Sequence, residues 1–146
     1  MADLELVRRL AALDGRVVAT TTRADGSVHA SVVSAGVLDD PDSGAPVVAF
    51  VTVGGSRKLP LLRRAGRAAV VFRHGFEWVA VEGPVQLAGP DDPLPEGTSR
   101  DLPSRLRDIF TAAGGTHDDW DEFDRAMVEE ARTAVYVTPA RISGNG

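Results

Sequence analysis

The chain has 146 residues, 43% apolar and 25% charged, a composition that suits one soluble globular domain spanning 1–146 with a core of its own. A formal net charge of −5 argues against a nucleic-acid partner, because such binders need a basic surface to displace counterions from phosphates. The absence of cysteine excludes disulfides, zinc–thiolate and iron–sulfur sites and thiol nucleophiles, and no apolar run approaches the roughly 18 residues of a membrane span.

The opening MADLELVRRLAAL carries acids and a helical repeat, so it does not read as a signal peptide, and a cytoplasmic location is expected. Leu4, Val7, Leu10 and Ala11 recur at helical spacing, with Asp3 as a cap, which predicts an amphipathic helix over 3–13. RVVATTTR, ADG and SVHASVVSAGVL read as strand, turn and strand, since Asp25-Gly26 supplies the positive φ of a tight hairpin. A loop, DDPDSGAP, leads to PVVAFVTV (46–53), a near-continuous apolar run and hence a strand buried on both faces. SRKLPLLRRAG (56–66) predicts a short helix capped by Ser56, with Pro60 in its first turn. RAAVVF and EWVAVEGPVQL form a second hairpin across RHGF. After a Pro- and Asp-rich connector (89–103), helices are expected over 104–113 and from a cap at Thr116, and TAVYVTPARISG closes the chain as a last strand. Six strands joined by tight turns, without alternating helices, point to an antiparallel barrel.

The chain holds one lysine, Lys58, beside Arg57 and just after Gly54-Gly55, where the apolar strand stops. A helix N-terminus leaves backbone N–H groups unpaired and partly positive, so a hydroxyl, a guanidinium and an ammonium placed there can cradle a phosphate. A solvated basic turn fits the same residues equally well. Arg63, Arg64 and Arg67 either reach a polyanionic tail or lie in solvent. The three histidines, His29, His74 and His117, show no ligand spacing, so no metal site is expected, and His117 reads as a helix-start residue. Thr20-Thr21-Thr22 lacks an adjacent base and suits a strand. The acids of DDWDEFD lack the spacing of a calcium loop. Trp120 falls on its helix's apolar stripe, and Trp78 either stacks on a ligand or packs.

VAFVTVGGSRKLPLLRRAGRAAVVF, followed by EWVAVEGPVQL and preceded by the Asp-Gly hairpin, resembles the pyridoxamine-phosphate-oxidase-like family of flavin- and deazaflavin-binding split barrels. The tail WDEFDRAMVEEARTAVYVTPARISG is most similar to its actinobacterial branch that uses coenzyme F-420. The resemblance implies a mainly β fold with flanking helices, a six-stranded antiparallel split β-barrel that forms a homodimer with cofactors at the interface. It assigns the cofactor phosphate to Ser56, Arg57 and Lys58. It also assigns the ring-lining strand to Val51, Thr52 and Val53, and backbone contacts with the ring to Ser31, Val32 and Val33. The implied activity is hydride transfer from coenzyme F-420 to a small oxidised organic substrate, with no catalytic side chain identified. The same fold with FMN as oxidase or reductase, or as a non-catalytic cofactor carrier, is the alternative. Two departures stand out: HASVVSAG lacks the family's Pro and aromatic in the second strand, and Ala-Gly replaces Asp-Pro or Asn-Pro after the short helix.

Overall fold

The computed structural model describes residues 2–98 and 100–146. Its elements run α1 (Leu4–Leu13), β1 (Arg16–Thr22), β2 (Val28–Asp39), β3 (Pro46–Thr52), α2 (Lys58–Ala65), β4 (Arg67–His74), β5 (Glu77–Ala88), α3 (Leu102–Ala112), α4 (Trp120–Glu129), β6 (Thr133–Val137) and β7 (Arg141–Gly144). The strand order β4-β1-β2-β3-β6-β5 closes on itself through β4–β5, and every pairing is antiparallel. Among the described residues the fold is therefore mainly β, a closed six-stranded barrel with four helices, as the strand pattern predicts.

Two strands belong to both halves of the barrel. β2 pairs with β1 over 28–34 but with β3 only over 35–39. β5 pairs with β4 over 77–84, and on its other edge with β7 over 79–82 and β6 over 85–88. The sheet therefore parts where β2 turns away from β3.

Burial follows which faces are covered. β1 and β4 alternate buried and exposed residues, because one face packs inside and the other lacks a covering layer. Phe50, Phe72, Val70, Val79, Val81, Val135 and Val137 fill the interior with Leu6, Val7 and Leu10 of α1. β3 is covered on both sides: Val48 and Phe50 face the interior, whereas Val47 and Ala49 pack with Leu106 and Ile109 of α3 and Phe123 of α4. That double burial explains the unbroken apolar run of 46–51.

Several boundaries move for local reasons. Asp3 caps α1 as expected, accepting the Leu6 N–H at 3.1 Å. α2 starts at Lys58, not Ser56; its N-cap is Arg57, which makes no side-chain capping bond, and the Ser56 hydroxyl turns to Thr52 instead. α3 begins at Leu102 because Asp101 accepts the Ser104 N–H and Pro103 occupies the first turn, where its missing N–H costs nothing. α4 starts at Trp120, four residues beyond Thr116, with Asp119 as the cap that accepts the Glu122 N–H. The last strand is two strands, β6 and β7, separated at 138–140, where Pro139 cannot donate to the ladder.

Candidate functional site

Beyond the last β2–β3 pair, Ala35 with Phe50, the two strands splay apart. Val32, Val33 and Ser34 line one side of the gap, and Val51, Thr52 and Val53 line the other. The gap opens into a cavity of about 710 Å³, within the usual range for small-molecule sites, about 300–1,000 Å³. The unpaired edge of β2 offers backbone donors and acceptors there in place of a strand partner. α3 contributes Ile109 and Phe110 to the wall. α4 contributes Glu122, Phe123, Ala126 and Met127, and its C-cap Glu130 follows on the same helical face, so the cavity runs along the whole helix.

One end of the cavity is cationic. Lys58 and Arg132 both line it. The Lys58 ammonium donates to the Thr52 hydroxyl at 3.4 Å, and that hydroxyl lies 3.2 Å from the Ser56 hydroxyl. Among the described residues Lys58 makes no ion pair. Partial burial, and secondarily the Arg132 charge, hold its pKa below the ordinary lysine value. Arg132 is itself paired with Glu130 at 2.8 Å. The Gly-Gly pair sets this end. A Cβ on Gly54 would meet the Ala131 backbone oxygen at 2.7 Å, and Gly54 donates its N–H to the Glu130 carbonyl at 2.9 Å. Gly54 therefore lets β3 close on the end of α4, and Gly55 takes φ +82° in the turn.

The nine residues assigned by resemblance separate into groups. Val32, Val33, Val51, Thr52, Val53 and Lys58 line the cavity. Ser56 touches it only through Thr52. Arg57 is exposed and outside the lining. The Ser31 side chain lies elsewhere, beside Thr21, His29, Phe50 and Lys58 around a void of about 10 Å³, and its hydroxyl is buried without a hydrogen-bond partner. Of the other flagged side chains, Arg63 pairs with Asp92 at 2.7 Å and Arg64 donates to the Thr22 carbonyl. Trp78 sits away from the cavity.

The opposite end was not legible as a site. It is built from Arg16, Ser34, Ala113 and His117, which come from three separate parts of the chain. Arg16 is held by Asp14, which accepts its backbone N–H at 2.9 Å and its Nε–H at 3.3 Å. The His117 ring lies among Phe110, Trp120 and Phe123, with centroids 6.4, 6.0 and 5.7 Å away. Among the described residues no group of three metal-ligating side chains converges.

The lining fits an elongated ligand with an anionic end and a flat apolar body: an ammonium with no counterion among the described residues at one end, and valine, isoleucine, phenylalanine and methionine walls beyond it. No family model and no curated protein matches the chain. Solved structures do. A conserved hypothetical protein of Mycobacterium tuberculosis is 18% identical with TM-score 0.70, over 99% of this chain and 84% of that one. A pyridoxamine 5'-phosphate oxidase-related, FMN-binding protein of Nostoc punctiforme is 13% identical with TM-score 0.60, over 97% and 80%. An F420 reductase is 14% identical with TM-score 0.58, over 95% and 94%. The fold is the pyridoxamine-phosphate-oxidase-like split barrel. Within that split barrel, the cavity occupies the split itself. No helix among the described residues is long and apolar enough to cross a membrane.

Proposed function

We propose that this protein is a homodimeric oxidoreductase that binds coenzyme F-420 and passes a hydride to a small oxidised organic substrate. The observation that carries this reading is the chain's only lysine, its ammonium in no ion pair among the described residues, at one end of an apolar cavity opened by the barrel's split. Lys58 and Arg132 would neutralise the cofactor's phosphate, with Ser56 and Arg57 closing on it from the solvent side. Val51, Thr52 and Val53 would support the ring on one side, and the backbone of Ser31, Val32 and Val33 would meet its polar edge. A bound deazaflavin supplies the hydride, so the protein's task is to bind, orient and exclude water.

A second copy has a surface to cover. Val32, Val18, Val71 and Ala80 are consecutive cross-strand partners on the outer face of β2, β1, β4 and β5. Val32 and Val18 are 71% and 41% exposed. Val32 also lines the cavity, so a partner seated on this row would close the ligand site. The protein is expected to sediment as a dimer, and V18E as a monomer; a monomeric wild type would remove the interface from the proposal.

Fluorescence titration of the purified, cofactor-free protein with coenzyme F-420 and with FMN tests the cofactor. Both ligands share a tricyclic ring and a ribityl phosphate, so the cation end serves either. Tighter binding of the deazaflavin is the expected result. Preference for FMN would move the protein to flavin chemistry, and binding of neither would overturn the cofactor reading.

A further inference from the structure

We infer that His117 is a ligand-binding residue: its Nε2–H donates a hydrogen bond to a carbonyl oxygen at the ring edge farthest from the bound phosphate. This inference rests on the cofactor reading of the cavity. Three observations lead to it.

The first is the tautomer. His117 Nδ1 accepts the Asp119 backbone N–H at 3.0 Å, so the neutral ring carries its proton on Nε2. The same contact joins His117 to the residue that caps α4. The second is the unused donor. The ring lines the cavity, and among the described residues Nε2 has no hydrogen-bond partner. Phe110, Trp120 and Phe123 pack around the imidazole and fix its plane, so the donor of this cavity-lining ring has a set direction.

The third is placement along the cavity. His117 lies just before the N-terminus of α4, whereas Glu130 and Arg132 lie just past its C-terminus, next to Lys58. Ten residues separate the two ends of α4, about 15 Å at about 1.5 Å per residue. Between them the cavity-facing positions Phe123, Ala126 and Met127 are apolar. The order along the cavity is therefore the cations Lys58 and Arg132, an apolar wall, and a polar end where the His117 donor stands with Glu122 and with Arg16, whose charge is met by Asp14. A ribityl phosphate joined to a tricycle has the complementary order: anion, flat apolar body, and a pyrimidine edge bearing carbonyl oxygens.

The test uses the full chain. Wild type, H117Q and H117N are titrated with coenzyme F-420 and with FMN by fluorescence, after circular dichroism confirms that each is folded. Glutamine carries its amide N–H near the Nε2 position; asparagine instead keeps an acceptor near Nδ1 for the Asp119 N–H. H117Q is expected to bind within about threefold of wild type and H117N about tenfold more weakly. In nitrogen-15 imidazole spectra of the wild type, saturating ligand is expected to move the His117 Nε2 signal more than the Nδ1 signal. Equal affinity of both variants, equal weakening of both, or an unmoved Nε2 signal in the saturated wild type would overturn the inference alone. Failure of the wild type to bind either cofactor would overturn the cofactor reading and this inference with it.

Discussion

The two ends of the cavity are built in opposite ways. The cation end comes mainly from seven consecutive residues, Thr52 to Lys58, at the exit of a strand buried on both faces. The histidine end is gathered from β1, β2 and the α3–α4 loop, and it depends on a cluster of four aromatic rings. A site made by a continuous segment needs only that segment's turn. A site made by convergence needs the whole tertiary structure. The two ends should therefore fail differently when the protein is perturbed.

The largest effect is expected at the convergent end. Phe123 is 5% exposed and touches Phe110, Trp120 and His117 while anchoring α4 on β3 and β6. F123A should cost about 3–5 kcal/mol of stability through the cavity it leaves. Urea denaturation measures this, and a loss below about 1 kcal/mol would mean that the aromatic cluster does not hold the helices in place. The cation end should tolerate a comparable truncation in folding but not in binding. K58A should weaken cofactor binding by about 1.5–3 kcal/mol with little change in melting temperature, and R57A by less, because its side chain is exposed and outside the lining. Equal affinity of K58A and wild type would detach the phosphate from this end.

A smaller change sharpens the join between α4 and the Gly54 turn. Ala131 has φ +50°, a left-handed conformation that disfavours a Cβ, at the position after a helix where glycine is common. A131G should raise stability by about 1 kcal/mol in thermal denaturation; destabilisation would mean that its methyl contact with the Gly54 turn outweighs the backbone strain. The smallest effect is a titration. Burial, then Arg132, lowers the folded-state Lys58 pKa below its unfolded value of 10.5. The charged form is thus disfavoured by folding: the cost is fully present below the folded pKa and is relieved as pH rises from there to the unfolded value. An anion bound at Lys58 opposes this, so the single lysine Nζ titration, followed by NMR, should move upward when FMN or coenzyme F-420 is added. A downward or absent shift in the saturated protein would place the bound anion elsewhere.

How much was legible follows from the same contrast. The double burial of β3 is written in PVVAFVT, and the turn that delivers Lys58 is written in Gly-Gly-Ser-Arg-Lys. Gly54, however, serves a protein contact, the close approach of Ala131, which no local pattern announces. The hairpin at Asp25-Gly26 forms as expected, with Asp25 accepting the Ser27 N–H at 2.9 Å. The start of α4 decided the rest. The sequence reading takes Thr116 as the cap, whereas Asp119 caps the helix and leaves His117 in a loop instead of a first turn. Its ring is then captured by aromatics from two helices, and helical periodicity carries no record of that. Arg132 was illegible for a related reason: it follows α4 by three residues and meets Lys58 only because β3 and β6 are neighbours in the sheet.

The solitary lysine has one more consequence, in covalent chemistry. Amine-directed reagents acting on the folded chain find two kinds of target, the α-amino group and Lys58 Nζ, and the second borders the cavity. The lowered pKa leaves more of that amine unprotonated at a given pH than an ordinary lysine offers. Acylation there would erase the only ammonium on a side chain in the whole sequence and leave every arginine untouched. One bond to one atom would thus reach the cation end of the cavity, with no second lysine to share the label.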